Sequence, residues 1–298
     1  DQSLGPLFDH LRADGTLAET LVIVVGDHGE SFNAHGEPTH GWYCYDGTLR
    51  VPFILRYPDG FRAGTKSDEL VSVVDVYPTA LAALGLAPPP DLDGVDLYRA
   101  EVPAERGVYF ESYNGWLSFG WSPIVGWCDA RGKYIHSSSP EFFDVIGDKQ
   151  ENKNVIAERG ADVERALRAL RGIQARRKLS IDAGPAVDQD MRDALKSLGY
   201  VGADAPLRAL PDPLHAEDLP SPRERRDELA AFHAAQSAGE EGRLEEAVGL
   251  LRELLVRYPA NVIARNYLAN DLMQLKRYAE AREVLEELAR VGSARAAD

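Results

Sequence analysis

The chain has 298 residues, 44% hydrophobic and 27% charged, enough apolar material for a sizeable core and for more than one domain. Its 48 acidic residues outnumber its 33 Lys and Arg, giving a formal charge of −15, and phosphate contacts require clustered cations, so nucleic acid is excluded as the expected partner. Two cysteines, Cys44 and Cys128, imply no disulfide framework and read as free, partly buried thiols, a single bridge being the other arrangement.

No apolar run approaches the ~20 residues of a membrane span, and no signal-peptide pattern opens the chain. Leu4, Leu7, Phe8 and Leu11 recur at helical spacing from the first residues, with no initiating Met, so the chain reads as a C-terminal fragment that starts within an amphipathic helix. That helix is predicted to end near Asp14-Gly15, where glycine supplies a left-handed cap. Residues 21–25 form an unbroken apolar run, the pattern of a strand covered on both faces in a parallel sheet. It ends in Gly26-Asp27-His28-Gly29-Glu30, and ligands in such sheets gather outside the carboxyl ends of strands. Carboxylate oxygen and imidazole nitrogen both suit a divalent cation, and Gly26 and Gly29 permit a tight turn. The plainer alternative is a strand-to-loop turn in which Asp27 caps local backbone.

Residues 31–45, rich in Gly, His, Asn and aromatics, are too irregular for helix or strand and read as an active-site loop. A second strand is predicted over 49–56, with Pro52 near its beginning. Residues 70–79 lead into an Ala/Leu-rich helix through Leu84, with Pro78 in its first turn and Gly85 and the prolines at 88–90 stopping it. From 108 to 143, short β-prone runs punctuated by glycine predict an antiparallel satellite sheet. There Trp116, Trp121 and Trp127 read as core rather than as a sugar or lipid platform. Residues 162–179 form a basic helix, read as a solvated face rather than an anion site.

The Pro-dense stretch at 203–222 reads as a linker. Beyond it the composition is helical, and Arg243-Leu-Glu-Glu-Ala247 through Leu254 repeats in Arg277-Tyr-Ala-Glu-Ala281 through Leu288 at an offset of 34 residues, the tetratricopeptide period. Ala247 and Ala281 let paired helices approach, Leu251 and Leu285 are predicted to fill the seam, and Pro259 starts the next turn. Two repeats are fewer than such arrays need, so the stack either continues past Asp298 or docks on the preceding domain.

Taken in order, Val-Gly-Asp27-His28-Gly-Glu, Ala-His35-Gly, Thr-His40-Gly-Trp-Tyr and Leu-Arg50-Val-Pro resemble the C-terminal half of the sulfatase family, within the alkaline phosphatase superfamily. The resemblance continues through Val74-Asp75-Val-Tyr-Pro78-Thr79 to Gly94, where the family has a strand and a helix. It extends over Phe119-Gly-Trp-Ser-Pro with Lys133-Tyr-Ile, over Glu141-Phe-Phe-Asp-Val to Asn154, and to Ser197-Leu198-Gly199-Tyr200-Val201. The implied fold class is α/β: the C-terminal part of an alkaline-phosphatase-like sandwich with a small antiparallel sheet subdomain, then an all-α tetratricopeptide module. The expected layout is the C-terminal half of the α/β domain at 1–104, its small sheet and helical tail at 105–202, a linker at 203–224 and the repeats at 225–298.

The resemblance implies that Asp27 and His28 ligate a divalent metal, calcium as in many sulfatases, with manganese or zinc as the alternatives. Asn often stands where this chain has His28, and His is common in relatives that cleave phosphate esters, so the ester is left open between sulfate and phosphate. His40 is assigned anion binding or leaving-group protonation, which its near-neutral titration suits. His35 is a substrate-side or ligand-orienting residue. Arg50 is read chiefly as a buried ion-pair partner at a strand start, with contact to anionic substrate as its other role. The family's nucleophile, a Cys or Ser oxidised to formylglycine in a Cys/Ser-x-Pro/Ala-x-Arg motif, and its paired acidic ligands are not in this sequence and are expected upstream. The expected activity is therefore sulfuric-ester hydrolysis in the intact protein, this chain alone being inactive, with a protein or peptide partner on the repeats. Phosphodiesterase or phosphoethanolamine-transferase chemistry and a non-catalytic scaffold are the alternatives, and family analogy places the protein in the periplasm or outside the cell.

Overall fold

The structure, a computed structural model, describes residues 2–98, 100–176 and 210–294. Helix α1 (Leu4–Ala13) ends as its sequence predicts, with Gly15 in the left-handed region at φ 80°. Strand β1 (Val22–Val25) is followed by the irregular loop, the single-turn helix α2 (Asp46–Leu49) and strand β2 (Phe53–Arg56). Pro52 lies just before β2, and its carbonyl accepts from Gly26 N–H at 3.2 Å, so the missing proline amide costs the ladder nothing.

β1 and β2 pair antiparallel, Val22 opposite Arg56 and Val25 opposite Phe53, and form a two-stranded sheet. This corrects the parallel, doubly covered strand expected for 21–25. An unbroken apolar run fixes neither the direction of the neighbouring strand nor what covers its faces. Among the described residues β1 has a neighbour on one edge only, and Val24 and Ile54 stay exposed.

Helix α3 (Val76–Ala83) carries Pro78 in its first turn and is stopped by Gly85 at φ 71°. The strand that the resemblance implies before it is a 3-10 turn, Val73–Asp75, in which Ser72 and Asp75 cap each other. Asp75 is fully buried and held by both terminal nitrogens of Arg106 at 2.6 and 2.8 Å, a geometry that an extended chain there would break.

The predicted satellite sheet is present. β3 (Gly107–Ser112), the short α4 (Asn114–Phe119), β4 (Ile124–Asp129), β5 (Gly132–His136) and β6 (Glu141–Phe143) form a four-stranded antiparallel meander in chain order. Trp121 is fully buried, while Trp116 and Trp127 are half-buried. Helix α5 (Gly160–Gln174) covers one side, packing Ala166 and Leu170 on Val125, Tyr134 and Phe142. Its basic face is not wholly solvated, because Arg165 pairs with Asp129 of β4 at 2.9 Å and with Asp162 at 2.5 Å. The predicted end of this helix at 177–179, the tail motif at 197–201 and residues 203–209 of the Pro-dense stretch lie outside the described residues.

Residues 210–222 of that stretch run pressed along the meander sheet. Pro220 carbonyl accepts from Ser122 N–H at 2.8 Å, Pro211 carbonyl accepts from the Tyr113 hydroxyl at 3.3 Å, and Leu214 and Ala216 are buried. Two helical hairpins follow: α6 (Arg226–Glu240) with α7 (Leu244–Arg257), and α8 (Val262–Gln274) with α9 (Tyr278–Ala294). Ala247, Ala281, Leu251 and Leu254 are buried at the helix contacts as their spacing predicts. Leu285 departs from the prediction: it is 42% exposed, because no described residue covers that face of α9. The repeats dock on the preceding domain, and Trp42, Phe119 and Trp121 share one hydrophobic cluster with Leu229 and Phe232 of α6. Both cysteines are free thiols; Cys44 is buried in that cluster and its thiol is pushed up to about 12 by burial.

Candidate functional site

The site lies where β1 ends and the 31–45 loop returns over it. Gly29 is fixed by close approach rather than by an unusual dihedral: a Cβ there would stand 2.3 Å from the Gly47 carbonyl oxygen, and Gly29 N–H donates to Thr48 carbonyl at 2.8 Å. The backbone therefore presses β1's end onto the start of α2. Within the loop, Phe32, Asn33, His35 and Cys44 all adopt left-handed φ values between 48° and 70°, a concentration that persists only where surrounding contacts over-determine the chain.

Those contacts are specific. Glu37 is fully buried and its Oε1 accepts from Trp42 N–H at 2.7 Å. Burial pushes its carboxyl up to about 7, against the backbone N–H groups of Trp42 and Tyr43, which favour the carboxylate. At the far end of the loop the Tyr45 hydroxyl donates to Glu141 at 2.9 Å, and the buried Lys133 lies 2.9 Å from Asp46 and 2.5 Å from Glu151. The loop is thus bolted to the meander sheet at Tyr45 and Asp46.

Asp27 and His28 face solvent together, with Asp27 Oδ2 and His28 Nε2 3.8 Å apart. His28 N–H donates to Asp27 Oδ1 at 3.0 Å, which holds that carboxyl below its ordinary range. His28 Nδ1 lies 2.9 Å from Gly29 carbonyl, to which it donates, leaving Nε2 facing outward. The His40 ring stacks on His28 at 3.8 Å between centroids, and its Nδ1 lies 3.1 Å from Glu30 Oε2. Three of the predicted site residues, Asp27, His28 and His40, therefore share one surface.

The other two lie apart from it. His35 stacks on Tyr45 at 4.0 Å and places Nε2 2.9 Å from Gln150 carbonyl; burial lowers its pKa, and its contacts hold the loop. Arg50 is exposed at the end of α2, where its backbone N–H donates to Asp46 carbonyl at 2.9 Å. No ion pair holds Arg50 among the described residues, which corrects the buried pair expected at a strand start: the chain leaves α2 through Arg50 before β2 begins, and the side chain stays in water.

Sequence reasoning assigned no role to Glu30 or Glu37. Glu30 carried a usable signal, an acid just past Gly29 in a motif already containing two metal-ligand types, whereas nothing local marks Glu37 as buried.

As a cation site the surface offers one carboxylate oxygen and one imidazole nitrogen, and among the described residues no group of three His, Cys, Asp or Glu converges. The donor chemistry fits a divalent ion held by these two and by further ligands. Calcium prefers oxygen, whereas imidazole suits manganese or zinc.

Residues 1–86 match the sulfatase family model, and residues 240–296 match a tetratricopeptide repeat model. The chain is 28% identical over 171 residues to the N-acetylglucosamine-6-O-sulfatase of Bacteroides thetaiotaomicron, covering 52% of this chain and 30% of that protein. It is 35% identical over 175 residues to arylsulfatase K of Mus musculus, covering 53% and 31%. It spans about a third of the length of these relatives. The crystal structure of Ps i-CgsB superposes with a TM-score of 0.50 at 19% identity, covering 58% of this chain and 40% of that one, a likeness of fold alone. The fold is α/β and alkaline-phosphatase-like, continued by a helical repeat region. No helix among the described residues is long and apolar enough to cross a membrane. The chain joins a sulfatase-family segment at residues 1–86 to a tetratricopeptide-repeat segment at residues 240–296.

Proposed function

We propose that this chain carries part of the centre of a metal-dependent sulfuric-ester hydrolase and a repeat module that binds a protein partner. The observation that carries the first half is the shared surface of Asp27, His28 Nε2 and the stacked His40. Asp27 and His28 would hold the cation, which when bound neutralises ester oxygens and lowers the pKa of the nucleophile. The nucleophile, a formylglycine by the family resemblance, and the remaining acidic ligands lie upstream of this chain in this reading. Glu30 orients His40 through Nδ1, so His40 Nε2 faces the ester, where it can hydrogen-bond the sulfuryl oxygens or hand its proton to the leaving oxygen. Glu37 and Tyr45 act on the loop that carries His40, not on substrate.

A phosphoryl-transfer reading is kept on one observation, the imidazole donor of His28 in a position whose oxygen-rich alternative would suit calcium better. In the intact protein, Asp27→Ala should lower kcat/KM on a 4-nitrophenyl sulfate about a hundredfold or more. His40→Ala should cost roughly 10²–10⁴ on esters with poor leaving groups and far less on the nitrophenyl ester. Faster turnover of the matching phosphate esters would move the assignment to phosphoryl chemistry. Turnover by this chain alone, abolished by Asp27→Ala, would sink the upstream-nucleophile reading. An intact protein with no affinity for calcium, manganese or zinc but with partner binding retained would leave only a scaffold.

A further inference from the structure

The inner face of the repeats encloses a groove of about 290 Å³ between α6 and α8, lined by Gln236, Gly239, Glu240, Tyr267, Asn270 and Asp271. Among the described residues no lysine or arginine lines it. Asp271 is 4% exposed, and its carboxylate has neither a hydrogen bond nor an ion pair among the described residues. A Cβ placed on Gly239 would stand 3.4 and 3.5 Å from its two oxygens, so the carboxylate lies against the lining position of α6 that has no side chain.

A carboxylate taken out of water normally has a cation or several donors around it, because leaving it unpaired forfeits its hydration with nothing in return. Burial raises the Asp271 carboxyl above its ordinary range, and no described neighbour opposes the shift. The fold therefore holds an acceptor that no described residue pairs, open to the groove at its oxygens. Glu240, one turn from Gln236 and accepting from its Nε2 at 3.0 Å, is a second acid on the same groove, so an anionic ligand would be repelled. A planar guanidinium meets the requirement best: it donates two parallel bonds to one carboxylate, has donors left for the amide oxygens of Gln236 and Asn270, and is attracted to an aromatic ring such as Tyr267.

We infer that the groove between α6 and α8 binds an arginine side chain presented by a basic segment of a partner protein, with Asp271 as its carboxylate partner. This rests on the reading of the repeats as a partner-binding module and gives that partner its chemistry. The chain's net charge of −15 steers such a segment towards it and makes encounter salt-dependent.

The test is a titration of the full ¹⁵N-labelled chain with three blocked peptides, Gly-Arg-Gly, Gly-citrulline-Gly and Gly-Glu-Gly, followed by the amide shifts of Gly239, Asn270 and Asp271. The arginine peptide should produce saturable shifts confined to the groove. Asp271→Asn keeps the side chain's shape and breaks no internal bond, so it folds, and it should weaken that binding about tenfold or more. Citrulline keeps the shape and loses the charge, and its peptide should leave the groove unshifted. Equal binding by Asp271→Asn, or by the citrulline or glutamate peptide, overturns the arginine assignment and leaves a partner-binding module standing. No groove response to any of the three overturns both.

Discussion

Glu37 shows how one buried acid can set the condition of a whole loop. Its folded pKa, about 7, stands above the ordinary value of 4.5, so the folded state binds this proton more tightly than the unfolded chain. The stability it contributes is complete below about pH 4.5 and is lost as pH rises through 7, on the order of 3 kcal/mol across the window. Glu37→Gln keeps an oxygen for Trp42 N–H and removes the titration. Between pH 5 and 8 its denaturation midpoint should therefore fall less than that of the parent, the difference being the Glu37 contribution, measured by urea unfolding of both proteins at each pH. That Asp27, His28 and His40 belong together was legible in the sequence because the proposed metal and acid–base chemistry calls for particular residue types at a strand end and in the loop that follows it. Glu30 against His40 and Glu37 beneath the loop were not, since their placement depends on a run of left-handed residues, Phe32, Asn33, His35 and Cys44, that no periodicity reports.

At the scale of elements, the loop is held by what its ends touch. Gly29→Ala puts a Cβ against the Gly47 carbonyl, and relief requires backbone movement at both β1's end and α2, a cost of about 1–3 kcal/mol. Because Asp27 and His28 precede Gly29 directly, on the proposed reading the same change should weaken manganese affinity as well as lower the melting temperature, measured by calorimetry with and without added manganese. Gly5→Ala, with open space around it on α1, should do neither. The meander sheet and the paired repeat helices were legible, since turn residues and a 34-residue offset report them directly. The antiparallel pairing of β1 with β2 was not, because hydrophobic continuity carries no sign of strand direction. Arg50 was misplaced for a related reason: 49–56 reads as one strand, whereas α2 takes its first residue and leaves Arg50 between the elements.

Across the whole molecule, the site loop and the repeats are built on one hydrophobic cluster. Trp42 stands 5.1 Å from Phe119 and 6.3 Å from His233, and Phe119 meets Phe232 at 5.6 Å, so α6 completes the packing behind the loop. Trp121 Nε1 donates to the buried Glu228 at 3.0 Å, and Arg226 donates to the Tyr45 hydroxyl at 3.3 Å. Phe232→Ala should cost about 3–5 kcal/mol and destabilise both parts together. Tryptophan fluorescence, reporting on the sheet, and helical circular dichroism, reporting on the repeats, should then shift by the same amount in denaturant; a shift confined to the helical signal would show that the two parts unfold separately.

The contact of α6 with the back of the site loop also decides where the chain can be cut. The change of composition near residue 203 invites a protein engineer to treat the repeats as a detachable cassette. In space the seam runs elsewhere, through Trp42, Phe119, Trp121 and Phe232, and a cut at the linker hands each half an open aromatic wound. A graft of these repeats onto another protein would have to bring its own substitute for that aromatic surface, and a protease that nicks the chain between them would separate nothing.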